Sequence, residues 1–364
     1  MKDVKYERIF AALQQELNEG RYDGQNPFPS EAQLVRRFGV SRFTVVEAIK
    51  KLEKARLVVR RRGRGTFPTR FARTSSGPIG LIMPGLAYGE IYAPICSEIT
   101  RLCQRRGRMV LLGNTTAEAP AARADAAKRL AADFVRQRVA GVIMHPIEYL
   151  KDSAGVNREI ASTFAAADVP VVLLDYDVEP PPRRSRLDLV GIDNFAAGRR
   201  LGEHLVSVGA RRVLFVKRRN CAATVESRLL GLAAAMTAAG CPWSADSVLE
   251  AEPTATAPIA RLLRGAEMPD AIVCGYDVHA AGVLKAIEKT LGPGAVPSRI
   301  RLAGFDDVRC ASVMTPALTT LHQPCKELAR LAVETLHRRM EFPDSPVCTL
   351  LLDAPLVVRE STRA

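Results

Sequence analysis

From residue 78 onward the chain repeats one pattern, in which a short apolar run is followed by a longer stretch of helical spacing. PIGLIMP precedes YAPICSEITRLCQRRG, RMVLLGN precedes AARADAAKRLAADFVRQR, GVIMHP precedes NREIASTFAAAD, and PVVLLDYD closes the first series. Strands that are apolar throughout suit a sheet covered on both faces, and the alternating helices supply the covers. The pattern therefore dictates an α/β fold of parallel strands flanked by helices. After VEPPPRRSRLD the rhythm restarts with LVGIDN, RVLFVKRR, SVLEAE, AIVCGYD and IRLAGFDD, separated by helical stretches. Two successive lobes are expected: the first near residues 78–182 with 308–323, the second near 183–307 with 324–358. The proline run at 180–182 is read as the first crossing between them. Ligands of such sheets bind beyond the carboxyl ends of the strands, so two facing lobes would enclose one in the cleft between them.

The first seventy residues follow a different rule. Ile9, Leu13 and Leu17 recur at helical spacing, so residues 4–19 form an amphipathic helix closed by Gly20. Ser30 is placed to cap a second helix that Gly39 ends, and Ser41 to cap a third reaching Lys54. RLVVRR and GTFP then read as two short strands joined around Gly63 and Gly65. Three helices and a hairpin make a winged helix-turn-helix, whose third helix has the dimensions of the DNA major groove. Residues 71–77 (containing ARTSSG) are short and polar, the composition of a linker.

Charge supports that division. Residues 1–70 hold sixteen Lys and Arg against eight Asp and Glu, whereas the remainder holds 36 against 31, giving +13 in all. Four of the five residues from Arg60 to Arg64 are arginines. A basic module on a nearly balanced body is the electrostatic footprint of nucleic-acid binding. Other classes are disfavoured. Eight scattered cysteines and five histidines show no metal-binding spacing, and no nucleophile elbow, phosphate loop or dinucleotide fingerprint follows a strand. Neither catalytic residues, metal nor cofactor is expected. Nothing approaches a membrane-spanning run, and the charged start MKDVKYERIF lacks the apolar core of a signal peptide, so a cytoplasmic protein is expected.

The stretch PSEAQLVRRFGVSRFTVVEAIKKLEKARLVVRRRGRGTF, residues 29–67, resembles the GntR family of bacterial regulators. The resemblance implies that Ser41, Arg42 and Thr44 lie at the groove and Arg36 or Arg37 near phosphate. Arg62, Arg64, Gly65 and Thr66 would lie on the wing. Val46 and Ala32 stand where that family commonly has arginines. Base readout should therefore differ from the usual one and fall more heavily on Arg42 and the wing.

The second region resembles the ligand-binding core of the lactose-repressor family, itself similar to periplasmic binding proteins. The resemblance is carried by VGIDNFAAGRRLGEHLVSVGARRV, SRLLGLAAAM, DAIVCGYDVHAAGVLKAI, RLAGFDDV and TPALTTLHQP. It implies an effector site built from Tyr92, Asp175, Thr224, Arg228 and Asp277, with His145 and Tyr276 as further candidates. Two carboxylates and a guanidinium can bind several hydroxyls at once. Plainer alternatives stay open: Asp175 and Asp277 as helix caps, Arg228 as a partner of Glu226 or Asp306, Tyr92 as core. The combination resembles the arabinose-repressor arrangement, which implies a sugar-responsive repressor of carbohydrate-utilisation genes. A purine or nucleoside effector is the alternative, and a core that only dimerises is another. One recognition helix covers a half-site, so a homodimer on near-palindromic operator DNA is expected.

Overall fold

The computed structural model describes residues 3–18, 21–22, 27–55, 57–61, 65–68, 77–84, 90–115 and 120–363. The linker at 71–77, apart from its last residue, and the wing residues Arg62 and Arg64 lie outside them.

The N-terminal module consists of helices Asp3–Asn18, Glu31–Phe38 and Arg42–Lys54, followed by strands β1 (Val58–Arg61) and β2 (Gly65–Pro68). The strands pair antiparallel with Arg61 opposite Gly65, which makes a wing. Local chemistry sets the helix ends. Ser30 and Gln33 form a reciprocal capping box, and Gly39 closes the helix in the left-handed conformation at φ 62°. The Ser41 hydroxyl accepts from the Thr44 backbone NH at 3.3 Å and starts the third helix. One apolar stripe from each element meets in a common core that includes Leu13, Leu17, Leu34, Ile49, Leu52 and Leu57. The winged helix-turn-helix is as expected.

Behind it stand two parallel sheets. Lobe 1 is a six-stranded sheet in the order β13-β7-β6-β5-β3-β4. Its strands are β3 (Ile79–Met83), β4 (Val110–Asn114), β5 (Gly141–Met144), β6 (Val171–Leu174), β7 (Asp188–Ile192) and β13 (Thr349–Leu352). Lobe 2 is a four-stranded sheet in the order β11-β10-β8-β9. It consists of β8 (Val213–Lys217), β9 (Val248–Glu250), β10 (Ala271–Cys274) and β11 (Arg301–Ala303). A small antiparallel pair, β12 (Thr320–Leu321) and β14 (Leu356–Val357), lies at the junction. Helices flank both sheets, as the alternating pattern requires.

The lobe boundaries need correction. The strand at Asp188–Ile192 does not open lobe 2; it pairs parallel with β6 and with β13, inside the sheet of lobe 1. The proline run at 180–182 is thus an internal loop of lobe 1, and the first crossing comes after Ile192. Residues 308–323 and 324–358 are likewise exchanged. Thr319 bridges to Ala303 on the edge of lobe 2, whereas helix Cys325–Glu341 packs on helix Tyr92–Arg105 and on β5, β6 and β7 of lobe 1. Its buried face, Leu328, Ala332, Val333, Leu336 and Met340, completes the core of that lobe. The chain consequently passes between the lobes three times: after Ile192, near 322–324, and between β13 and β14.

Candidate functional site

The candidate DNA-contacting residues gather around the exposed start of helix Arg42–Lys54. Ser41, Arg42 and Phe43 are all exposed, Phe43 at 70%, while Val45, Ala48, Ile49 and Leu52 face the core. Arg42 donates from Nε to Glu31 Oε2 at 3.0 Å, and Arg60 of the wing donates to Glu31 Oε1 at 2.8 Å. One carboxylate thus ties the third helix to β1. Thr44 sits one turn in, its hydroxyl 2.9 Å from that of Ser41. Arg36 is exposed, and Gly65 (φ 103°) and Thr66 begin the returning wing strand. Arg37 behaves differently from the expectation of a phosphate contact. Its guanidinium is spent on Glu16 and on the Tyr22 hydroxyl, bracing the second helix against the first. The bond from Arg37 holds the Glu16 carboxyl below its ordinary range.

Between the lobes lies a cavity whose lining includes Tyr92, Thr115, Arg123, Glu148 and Tyr149 from lobe 1, and Arg218, Tyr276, Val278, His279 and Asp306 from lobe 2. Of the seven effector residues anticipated from sequence, Tyr92 and Tyr276 line it. Arg228 is 1% exposed and lies beneath the wall. Its Nε donates to Asn194 Oδ1 and its Nη1 to the Gly275 carbonyl, both at 2.8 Å, and Nη1 lies 3.4 Å from Asp306 Oδ1. Phe305 covers the guanidinium at 4.7 Å. Burial opposes the Arg228 charge, but Asp306 and Asp175 outweigh it and hold its pKa above the ordinary range. Of the two pairings considered for Arg228, the structure has Asp306 and not Glu226, which goes to Lys217.

Asp306 carries the connection from Arg228 to the cavity. It ends the strand β11 region with φ 111°, a backbone conformation that an aspartate occupies only under tertiary constraint. Its Oδ1 also accepts from Gln323 Nε2 at 2.9 Å, in the second crossing segment. Burial raises its pKa to about 6. Asp175, at φ 78°, repeats the geometry at the end of β6. Its Oδ2 is 3.5 Å from the Thr224 hydroxyl and 3.7 Å from His145 Nε2. His145 is buried edge-on between the rings of Tyr92 and Tyr176, at 5.1 and 5.4 Å, with Nδ1 donating to the Pro146 carbonyl at 2.8 Å. Thr224 therefore reaches Asp175 from the opposite lobe, while His145 Nε2 faces the Tyr92 hydroxyl at 3.4 Å.

Asp277 is a correction. It is fully buried, and both oxygens are occupied: Oδ1 accepts from the Thr320 hydroxyl at 2.7 Å and Oδ2 from the Val308 backbone NH at 3.0 Å. It caps no helix of its own; it fastens β12 and the loop after β11 to lobe 2, and so is a brace. Sequence reasoning also passed over Glu148, Tyr149 and Arg218, which bridge the lobes along one side of the cleft. Tyr149 NH donates to the Asn220 carbonyl at 2.9 Å, and the Arg218 guanidinium lies 4.0 Å over the Tyr149 ring. Glu148 Oε2 accepts from the Ala222 NH and from the Tyr276 hydroxyl, both at 3.3 Å. Their only sequence signal was position, just beyond the ends of β5 and β8. Among the described residues no cluster of metal-ligating side chains occurs, and no helix is long and apolar enough to cross a membrane.

Comparison with known proteins agrees with both halves. Residues 5–67 match the bacterial regulatory proteins of the gntR family, and residues 203–362 match a periplasmic binding protein-like domain. The HTH-type transcriptional repressor PurR of Glaesserella parasuis is 28% identical over 296 residues, covering 78% of this chain and 81% of that protein. The ribose operon repressor of Haemophilus influenzae is 26% identical over 288 residues, covering 78% and 80%. Among solved structures, the transcriptional regulator CelR in complex with cellobiose superposes with a TM-score of 0.66 at 22% identity, over 88% of this chain and 91% of that one. That last likeness shows the fold.

Proposed function

We propose that this chain, which joins a gntR-type DNA-binding domain to a periplasmic binding protein-like domain and is similar to the repressor PurR, is a transcriptional repressor that senses a small sugar in the cleft and controls carbohydrate-utilisation genes. The observation that carries the proposal is the Arg228 and Asp306 pair. A guanidinium at 1% exposure is costly unless the fold uses it, and here it holds a strained carboxylate on the wall of a cavity. A carboxylate beside the Tyr92 and Tyr276 rings suits a polyhydroxylated ring, which offers hydroxyl donors and apolar C–H faces together. Asp175, approached by Thr224, supports a second set of hydroxyls when the lobes close. Ligand shifts that closure by its differential affinity for the closed form. Arg42, Ser41, Thr44 and the wing residues Gly65 and Thr66 read operator DNA, with Arg36, Arg62 and Arg64 supplying phosphate contacts. A homodimer places two such modules on a near-palindromic site. A nucleobase effector is the second reading, favoured by the three tyrosine rings on the wall and by the likeness to PurR.

A thermal-shift series with sugars and nucleosides, followed by operator titration, tests the reading. The Arg228→Ala variant should lose the ligand-induced rise in melting temperature while keeping ligand-free operator affinity within about twofold. Normal ligand response in that variant refutes the cleft. Loss of ligand-free DNA binding in a folded variant refutes the separation of sensing from reading.

A further inference from the structure

Two atoms on the cavity wall lack the hydrogen bonds that buried groups require. Among the described residues four buried side-chain nitrogens have no partner, and two of them, Arg123 Nε and His279 Nδ1, belong to residues lining this cavity. Arg123 comes from helix Pro120–Arg136 of lobe 1 and His279 from helix Asp277–Leu291 of lobe 2. Unmet bonds of this kind cost about 1–3 kcal/mol each, and native folds retain them where something else completes them.

The charges on the wall are unequally engaged. Arg218 is paired with Glu252 at 3.0 Å and stacked on Tyr149. Asp306 is shared between Arg228 and Gln323. Glu148 accepts two hydrogen bonds, and burial raises its carboxyl above the ordinary range. Glu90 is exposed at the rim. Among the described residues Arg123 has no carboxylate within ion-pair distance, and its hydrogen bond there is a long 3.5 Å contact from Nη1 to the Glu148 carbonyl. A ligand hydroxyl would satisfy Nε but leave the positive charge unbalanced, whereas a carboxylate or phosphate oxygen satisfies both. His279, 1% exposed, is kept neutral because burial lowers its pKa to about 4. In the Nδ1–H tautomer it offers a donor from the opposite lobe.

We infer that the effector carries an anionic group, a carboxylate or phosphate on its ring, received between Arg123 and His279. This deepens the proposed sensing role and rests on it. Because the two donors come from different lobes, the anion itself becomes a cross-lobe bridge, and closure is coupled to its recognition.

The test uses the full chain and probe pairs that differ in the anionic group: glucose and glucuronate, ribose and ribose phosphate, adenosine and adenosine monophosphate. Calorimetry and thermal shift are run on wild type, Arg123→Gln, His279→Ala and Asp306→Asn, with operator affinity as the check on folding. The expected result is that the anionic member of at least one pair binds and its neutral counterpart binds at least roughly tenfold more weakly. Arg123→Gln should weaken the anionic probe by roughly thirtyfold or more, as loss of a charge-assisted pair does, and bring it level with the neutral one. His279→Ala should weaken it by a smaller factor. A carboxylate probe and a phosphate probe that bind to different extents identify the source of the anion. Failure of every anionic probe to bind overturns the inference. So does equal binding of a neutral partner that Arg123→Gln leaves intact; if Asp306→Asn abolishes that binding, the cleft remains the sensor. Binding that survives both substitutions overturns the cleft reading as well.

Discussion

At the scale of single residues, Glu31 joins Arg42 of the third helix to Arg60 of the wing. Its carboxylate holds Arg42 through Nε, a bond that does not use the terminal nitrogens with which an arginine pairs a guanine edge. Glu31→Ala should therefore relax base preference at the same operator position as Arg42→Ala. The arginine change should cost about 1–3 kcal/mol and the glutamate change less. Titration of both single variants and the double variant on operators altered base by base checks this. Additive effects at different positions would show that Glu31 does not orient Arg42. Asp277 yields a second expectation. An asparagine there can accept from the Val308 NH and donate to Thr320, so Asp277→Asn should preserve stability, whereas Asp277→Ala strands both partners and should cost about 1–3 kcal/mol. Burial raises the Asp277 carboxyl well above its ordinary range. Its contribution is thus fully present below the unfolded pKa of about 3.9 and declines as pH rises through the folded value. Urea denaturation from acid to neutral pH should show that decline in wild type and a flatter course in Asp277→Asn. Residue roles fixed by near neighbours were legible in sequence: Ser30, Gly39 and Ser41 act where their spacing put them. Arg37 and Asp277 were not, because their partners lie at Glu16 and at Val308 and Thr320, distant in sequence.

At the scale of elements, the closest packing in lobe 2 is between helices Asn194–Ser207 and Ala223–Ala238. A Cβ on Gly198 would overlap the Arg228 carbonyl, and one on Gly231 would overlap the Phe195 carbonyl. These two glycines let the backbones approach closely enough for Asn194 to reach Arg228 Nε. Gly198→Ala should force the helices apart, destabilise the lobe by about 1–3 kcal/mol and weaken effector binding although no cavity residue has changed. Chemical denaturation and calorimetry on one preparation check both halves; unchanged effector affinity would show that the helix pair does not set the position of Arg228. The elements themselves were legible, because apolar runs and helical spacing are local properties of sequence. Their allocation was not. Asp188–Ile192 reads as the start of a new series after a proline-rich loop, yet an apolar run carries no mark of which sheet edge it joins. Parallel pairing with β6 on one side and with β13, more than 150 residues later, on the other decides it.

At the scale of the whole molecule, a DNA-reading module, two lobes and a cleft were all visible in the alternation of elements and in the charge concentrated on the first seventy residues. Which side chains meet across the cleft was visible only in part. Tyr92 and Tyr276 stand at strand ends, where a cleft rule points, whereas Arg123 reaches the cavity from within the first turns of a helix that begins at Pro120. The three passages between the lobes bear on how the chain is made. A ribosome releases β7 long before it releases helix Cys325–Glu341 and β13, so the sheet of lobe 1 waits about 160 residues for its last strand and for the helix that covers one face. At common synthesis rates that interval is roughly 10–30 s, during which an apolar surface stands open on a nascent chain whose DNA-reading module is already complete. Slowing translation within residues 193–324 is therefore expected to lower the yield of folded protein, as measured by soluble expression, without altering any residue of the finished chain.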